Sequence, residues 1–137
     1  MTEIVDTADM FRRLILSTDV NSIVGGRVFW PSRPQTGNLD TQLPCIVINM
    51  LTGLDDGGNS PLGTEIWQVR IEANRHSDLM LIHGILRKEL NKHRSPARIS
   101  PGILAVLLVD GPRDNFNEED QKPQILCTYQ LRVAFEV

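Results

Sequence analysis

Two stretches of the chain are apolar on both faces of the strands that they would form. Residues 43–51 (LPCIVINML) and 102–109 (GILAVLLV) show no alternation of apolar and polar side chains. A half-buried strand alternates, so an unbroken apolar run indicates that both of its faces are covered. The rest of the chain predicts only two long helices, which can cover one face of a sheet. We therefore expect a surface outside this chain to cover the remainder, as in a subunit of a larger assembly.

Four further segments have the periodicity of regular elements with one buried side. Residues 64–74 and 125–137 alternate, with apolar side chains at odd-numbered positions and mostly polar ones at even-numbered positions, which is typical of half-buried strands. Residues 3–17 and 78–92 have apolar side chains at helical spacing, with charged residues on the opposite side. These patterns predict two strands and two amphipathic helices.

Together the elements predict one α+β domain over residues 1–137. It is a mostly antiparallel sheet of four to five strands with two helices packed on one face. The segments 52–63 and 110–123 are rich in Gly, Asp, Asn and Pro and are predicted to be loops. The even-numbered positions of the alternating strands would form a polar sheet face that borders solvent, a lumen or a neighbouring subunit. The candidates on that face are Gln68, Arg70, Glu72, Gln130 and Arg132.

Spacings typical of a catalytic, phosphate-binding or metal site are absent from the sequence. Neither G-x-x-x-x-G-K-[ST] nor G-x-G-x-x-G occurs, and the histidines at 76, 83 and 93 lack the i, i+4 spacing of a helical zinc pair. Cys45 and Cys127 lie within strand-like runs, which favours buried free thiols over nucleophiles. We therefore predict no catalytic residue, no metal and no cofactor.

Charge and hydropathy narrow the choice of partners. The net charge is −3, from 14 basic and 17 acidic residues, and no basic face of the kind that binds duplex DNA is evident. No apolar run approaches the ~18 residues of a membrane span, and the first residues lack the apolar core of a signal peptide. We expect no membrane association.

Polar residues of the two predicted loops are the candidate contacts with partner proteins. The stretch 55–59 (DDGGN) lacks the alternating ligands of a calcium loop and is interpreted as a flexible loop. The acidic cluster in 114–120 fits either a docking surface or a solvated loop. The candidate contact residues are Asp55, Asp56, Asn59, Arg113, Asp114, Glu118 and Glu119.

The order of these elements resembles the tail-completion, or tail terminator, proteins of long-tailed bacteriophages and related prophage or gene-transfer particles. The matching features are an N-terminal amphipathic helix leading to VGGRVFW, the Leu-Pro entry of LPCIVINM, a strand TEIWQVRIEANR running directly into the helix SDLMLIHGILRKELN, and a last strand ending in YQLRVAFEV. The resemblance spans nearly the whole chain, and the long segment 110–123 has no counterpart in the shared pattern.

The resemblance implies a structural virion protein without enzymatic activity. Such a protein forms a ring, generally a hexamer, that caps the tail tube, stops its polymerisation and joins the tail to the head connector. Its expected partners are further copies of itself, the major tail tube protein and the head-completion protein. Genomic DNA would pass through the ring without specific binding, which suits an acidic subunit. The ring would be assembled in the host cytoplasm and reside in the virion.

Two other classes of function stay open at this point. One is another phage structural role with a similar small α+β fold, such as a neck or tail-tube adaptor subunit. The other is a cytosolic enzyme or small-ligand binder, which would need a pocket with converging polar groups.

Overall fold

The computed structural model describes residues 6–34, 39–55, 62–90, 102–117 and 121–134. Its elements, in chain order, are α1 (Thr7–Leu16), α2 (Asn21–Val24), β1 (Val28–Phe29), α3 (Leu39–Gln42), β2 (Cys45–Asp55), β3 (Leu62–Glu72), α4 (His76–Leu90), β4 (Ile103–Asn117) and β5 (Lys122–Ala134). The predicted termini at residues 3–5, 91–92 and 135–137 lie outside the described residues.

The five strands form one sheet in the order β1-β2-β3-β5-β4. The pairs β2–β3, β3–β5 and β4–β5 are antiparallel, whereas the two-residue β1 runs parallel to β2. The α+β prediction is confirmed, with a mixed rather than an all-antiparallel sheet.

The first helix begins where a side chain caps it. The carboxylate of Asp6 accepts a hydrogen bond from the backbone N–H of Asp9 at 3.2 Å, which satisfies one of the free donors of the first turn. One side of α1 then packs on the sheet, where Phe11, Leu14 and Ile15 are buried. Helix α4 begins at His76, two residues before the predicted start.

The two long helices, α1 and α4, lie on the sheet face that the alternation predicted. The odd-numbered positions of β3 and β5 are buried on this face, and the cross-strand partners Trp67 and Tyr129 lie side by side within it. Helix α4 contributes its own apolar stripe to the same core. The stripe consists of Leu79, Ile82, Leu86 and Leu90.

The prediction of loops is wrong for half of segment 52–63 and for most of segment 110–123. Strand β2 continues to Asp55 and β3 begins at Leu62, while β4 continues to Asn117, which pairs with Lys122. Polar residues form a regular strand here because the partner strand of the hairpin satisfies their backbone hydrogen-bonding groups. Only 56–61 and 118–120 lie outside the described residues.

A glycine makes the lower part of β4 possible. Gly111 has φ +105°, a conformation that other residues rarely adopt, and an added Cβ would lie 2.7 Å from the carbonyl oxygen of Leu126. The pairing with β5 shifts register here, between Asp110 and Arg113. The strand therefore bends at this position and continues beyond it.

The expected external cover of the doubly apolar strands is supplied in part by the chain itself. Leu43, Cys45 and Val47 form a second small core on the face opposite the helices, with Phe29 packed against it. The covering segment comprises the described residues 30–34 and 39–44: Leu43 belongs to this core, and Arg27 Nε donates a hydrogen bond to the carbonyl oxygen of Pro44 at 2.9 Å. Sequence periodicity missed this cover because α3, with four residues, is too short to show a helical pattern and residues 30–34 form no regular element.

None of the helices in the described part of the chain is long and apolar enough to cross a membrane.

Candidate assembly surfaces

The two long hairpins have their tips at opposite ends of the sheet. The connection between β2 and β3 follows the pair Asp55↔Gly63, whereas the connection between β4 and β5 follows Asn117↔Lys122. The ladder between β3 and β5 runs from Leu62↔Ala134 to Glu72↔Gln124, so Gly63 lies near one end of it and Lys122 lies beyond the other end. We call the end with the β2–β3 connection the upper end, and the end with the β4–β5 connection the lower end. The two hairpin connections therefore lie at opposite ends of the sheet.

The candidate contact residues of the predicted loops separate into two groups along this axis. Asp55 ends β2 at the upper end, and Arg113 and Asp114 lie in the lower part of β4. Arg113 Nη2 lies 2.8 Å from Asp110 Oδ2, and Asp114 Oδ1 lies 3.0 Å from His76 Nε2 at the start of α4. The other candidates, Asp56, Asn59, Glu118 and Glu119, lie outside the described residues.

The five candidates of the polar sheet face do share a face, the one opposite the helices. Cross-strand register aligns the even-numbered positions of β3 with those of β5, so Gln68, Arg70 and Glu72 lie on the same side as Gln130 and Arg132, which are opposite Ile66 and Thr64. Four of the five side chains are half-buried, whereas Glu72 is only 2% exposed. A role of Glu72 as an open contact residue therefore does not fit its burial.

Glu72 instead anchors a buried polar cluster that includes Arg33 of the covering segment. Its Oε2 lies 3.4 Å from Arg33 Nε and 3.7 Å from Arg70 Nε, and the thiol of Cys45 donates to the same oxygen at 3.8 Å. Arg33 also donates from Nη1 to Gln42 Oε1 at 3.0 Å. The cluster ties the covering segment to β2 and β3. Sequence patterning missed Arg33, since it lies in an irregular stretch.

Neither cysteine is disposed to react. Burial, followed by the charge of Glu72, raises the pKa of the Cys45 thiol to about 12, and burial followed by Asp110 raises that of Cys127 to about 11. Both are buried free thiols, which confirms the prediction. A protonated thiol is a weak nucleophile, so the geometry supports packing rather than covalent chemistry.

His83 is a core histidine. It lies on the buried side of α4, with Nδ1 at 3.4 Å from the sulfur of Cys127. Burial, and secondarily the charge of Arg87, lowers its pKa, so the neutral imidazole is favoured. Among the described residues, no group of three or more His, Cys, Asp or Glu side chains could hold a metal ion.

A shallow groove of about 610 Å³ lies between α1 and the segment 28–34. Trp30 is 55% exposed at its rim. The charged side chains that line it have partners within the chain: Asp9 pairs with Arg13, and Arg33 pairs with Glu72.

The same groove borders one edge of the sheet, where the side chain of Arg12 forms hydrogen bonds with the free edge of the short strand β1. Its Nε donates to the carbonyl oxygen of Val28 at 2.9 Å, and its Nη2 donates to that of Gly26 at 3.3 Å. The carbonyl oxygen of Arg27 accepts a hydrogen bond from the backbone N–H of Ile46 in β2. Successive carbonyls of a strand point to opposite sides, so the Val28 carbonyl points away from the sheet. Arg12 therefore occupies an acceptor that an added strand would need.

Searches with protein-family models and against curated protein sequences find no match to this chain. Among solved structures, the fold is similar to that of a chain in the virion of a native gene transfer agent particle, with a TM-score of 0.59. The two chains are 12% identical, and the match covers 93% of this chain and 92% of the other. At this identity the likeness establishes a shared fold over the whole domain.

Proposed function

We propose that the protein is a structural subunit of a phage-type virion. In this proposal it forms a hexameric ring that caps the tail tube, stops its polymerisation and joins the tail to the head connector. The observation that carries the proposal is the fold shared, over nearly the full length of both chains, with a component of a gene transfer agent virion. The ring acts in the neck of the particle, is assembled in the host cytoplasm and needs no cofactor.

The opposite-ended hairpins support this role. A tube whose last ring exposes a polymerising surface can keep adding identical rings, so a terminator must match that surface on one side only. The upper and lower ends of this subunit are formed by different hairpins, and a ring of such subunits has two different sides. One side can bind the tube protein and the other the head-completion protein, while DNA passes through without specific contacts.

A second structural role has support from the same likeness. The gene transfer agent neighbour is a chain of a whole virion, so a neck or tail-tube adaptor subunit fits the shared fold as well. The two roles predict opposite effects on the tube: a terminator binds its ends and stops growth, whereas a tube subunit is incorporated and continues it.

An enzyme or small-ligand binder has less support. The groove beside α1 contains charged groups that are already paired within the chain, and the two thiols are buried. A catalytic site needs polar groups that converge on a substrate.

The decisive experiment adds the purified protein to the tail tube protein from the same genome during polymerisation. We expect short, capped tubes whose length falls as the ratio of this protein to tube protein rises. In a lysate with an early stop codon in this gene, electron microscopy should show unjoined heads and tails of uncontrolled length. Normal tails joined to full heads would refute the terminator role, and incorporation along the tube would favour the adaptor.

A further inference from the structure

In the part of the chain that the structure describes, the upper halves of both sheet edges lack a strand partner and expose apolar side chains. Among the described residues, β1 pairs only with Ile46 and Val47, so residues 50–55 of β2 have a strand partner on one side only. At the other edge, no described strand lies beyond residues 103–107 of β4. Met50 and Leu51 are 50% and 56% exposed, and Leu107 is 49% exposed. An open strand edge with exposed apolar side chains is a ready site for pairing with another chain.

The two open stretches lie at the same level of the sheet. Across the ladder, Asp55 is aligned with Ile103 through Gly63 and Val133. By the same route, Thr52 is aligned with Leu107. The strands β2 and β4 also run in opposite directions, since each pairing from β2 to β4 reverses the direction.

The lower halves of both edges are blocked, again at one level. Arg12 donates hydrogen bonds to the outward-pointing carbonyl oxygens of Val28 and Gly26, and Val28 is paired with Ile46. Aligned with that position on the other edge, β4 contains the bend at Gly111, a proline and the pair Asp110–Arg113. Proline, bulges and charges on an edge strand hinder the addition of a further strand.

We propose that the upper stretch of β4 in one copy pairs antiparallel with the upper stretch of β2 in a second copy, so that the sheets of neighbouring subunits are continuous. Stretch 103–107 carries no charged side chain and stretch 50–55 carries one, Asp55, so apposition brings no like charges together. The interface is head-to-tail, because different edges meet. Since the two stretches are level, successive copies need little rise along the strands, and a head-to-tail contact with little rise can close into a ring.

This inference deepens the proposed ring and rests on the protein acting as one. The test uses the purified full chain in native mass spectrometry over a concentration series, with hydrogen exchange of the assembled and dissociated forms. We expect amides in 50–55 and 103–107 to gain protection on assembly, while those in 110–116 stay unchanged. A chain that stays monomeric throughout, or a ring without protection at either upper edge, would overturn the inference.

Matched lysine variants locate the contact. Leu51→Lys and Leu107→Lys place a charge in the proposed seam, and each should raise the concentration needed for half-assembly by about tenfold or more. Leu81→Lys is the control, because Leu81 is 54% exposed on α4 and belongs to neither edge strand. Equal effects of all three variants would contradict the seam.

The outcome is separable from that of the terminator proposal. Protected upper edges in a ring that does not stop tube growth would support the pairing of β4 with β2 and refute the terminator role. A ring that caps tubes but is held together by other surfaces would refute the pairing of β4 with β2 and support the terminator role.

Discussion

The ring of Phe11 meets the ring of Trp67 edge-on, with centroids 5.6 Å apart and planes inclined by 70°. This contact joins α1 to the middle of β3, and both side chains are buried. Edge-to-face pairs add stabilisation beyond the burial of their area. The pair therefore holds the N-terminal helix on the sheet.

Phe11→Ala should lower the free energy of unfolding by about 3–5 kcal/mol, since it removes a buried ring and leaves a cavity. Chemical denaturation followed by tryptophan fluorescence measures the change. Leu81→Ala, at an exposed position of α4, is the control and should change stability by less than about 0.5 kcal/mol. Similar losses for both variants would mean that α1 is not held through this contact.

Glu72→Ala should destabilise the protein by about 3 kcal/mol, because it leaves two arginines without their common carboxylate partner in a mostly buried site. The exposed pair Asp9–Arg13 offers the comparison, and Arg13→Ala should cost less than about 0.5 kcal/mol. Limited proteolysis gives a second readout: cleavage within segment 30–44 should speed up only in the Glu72 variant. Unchanged cleavage would mean that the cluster does not hold this segment.

The two thiols should make the protein lose stability at alkaline pH. Their pKa values are raised from 9.0 to about 12 for Cys45 and about 11 for Cys127, so the unfolded chain ionises first. Their contribution is complete below pH 9 and is lost as pH rises, with a slope of about 1.4 kcal/mol per pH unit for each thiol. Denaturant midpoints between pH 9 and 11 should fall less steeply in a Cys45→Ala/Cys127→Ala variant. Parallel curves would contradict the burial of the thiols.

Arg12→Ala should expose the outward carbonyls of β1 and thereby promote non-specific self-association. We expect larger, heterogeneous oligomers in light scattering, together with a stability loss of about 1–3 kcal/mol from the unsatisfied acceptors. Arg13→Ala on the same helix is the control, because the exposed Arg13 side chain pairs with Asp9 rather than with β1. A monodisperse Arg12 variant would show that the arginine does not guard the edge.

If the protein acts as the proposed ring, added positive charges at its two ends should separate the two functions of the ring. Asp56→Lys/Asn59→Lys changes the segment joining β2 to β3, and Glu118→Lys/Glu119→Lys changes the segment joining β4 to β5. If each end binds one partner, one pair should abolish tube capping and the other should abolish head joining. Tube-length assays and electron microscopy of lysates distinguish the two defects. Loss of both functions with either pair would contradict the division between ends.

Periodicity predicted the elements whose two faces differ. The alternation in β3 and β5 indicated both the strand and its buried face, and the position of Tyr129 on the helical side follows from it. The lower part of β4 was missed because both of its faces are polar and its regularity depends on hydrogen bonds to β5, which the local sequence does not reveal.

The candidate surfaces were predictable to a smaller extent. The shared face of Gln68 and Gln130 follows from alternation, but the burial of Glu72 depends on Arg33, which lies in an irregular segment. The alignment of the open edges depends on the register of three strand pairs, including the bulge near Leu51. Register is a tertiary property and cannot be read from one strand alone.

The opposite hairpin tips also determine how the subunit would bear a mechanical load. A pull applied between the two ends runs along the strands, and it reaches β3 and β5 from opposite directions. Their eleven residue pairs are then loaded in shear, so that many hydrogen bonds resist together instead of opening one after another. A subunit built in this way would withstand tension along its long axis far better than a force that peels β4 from its edge.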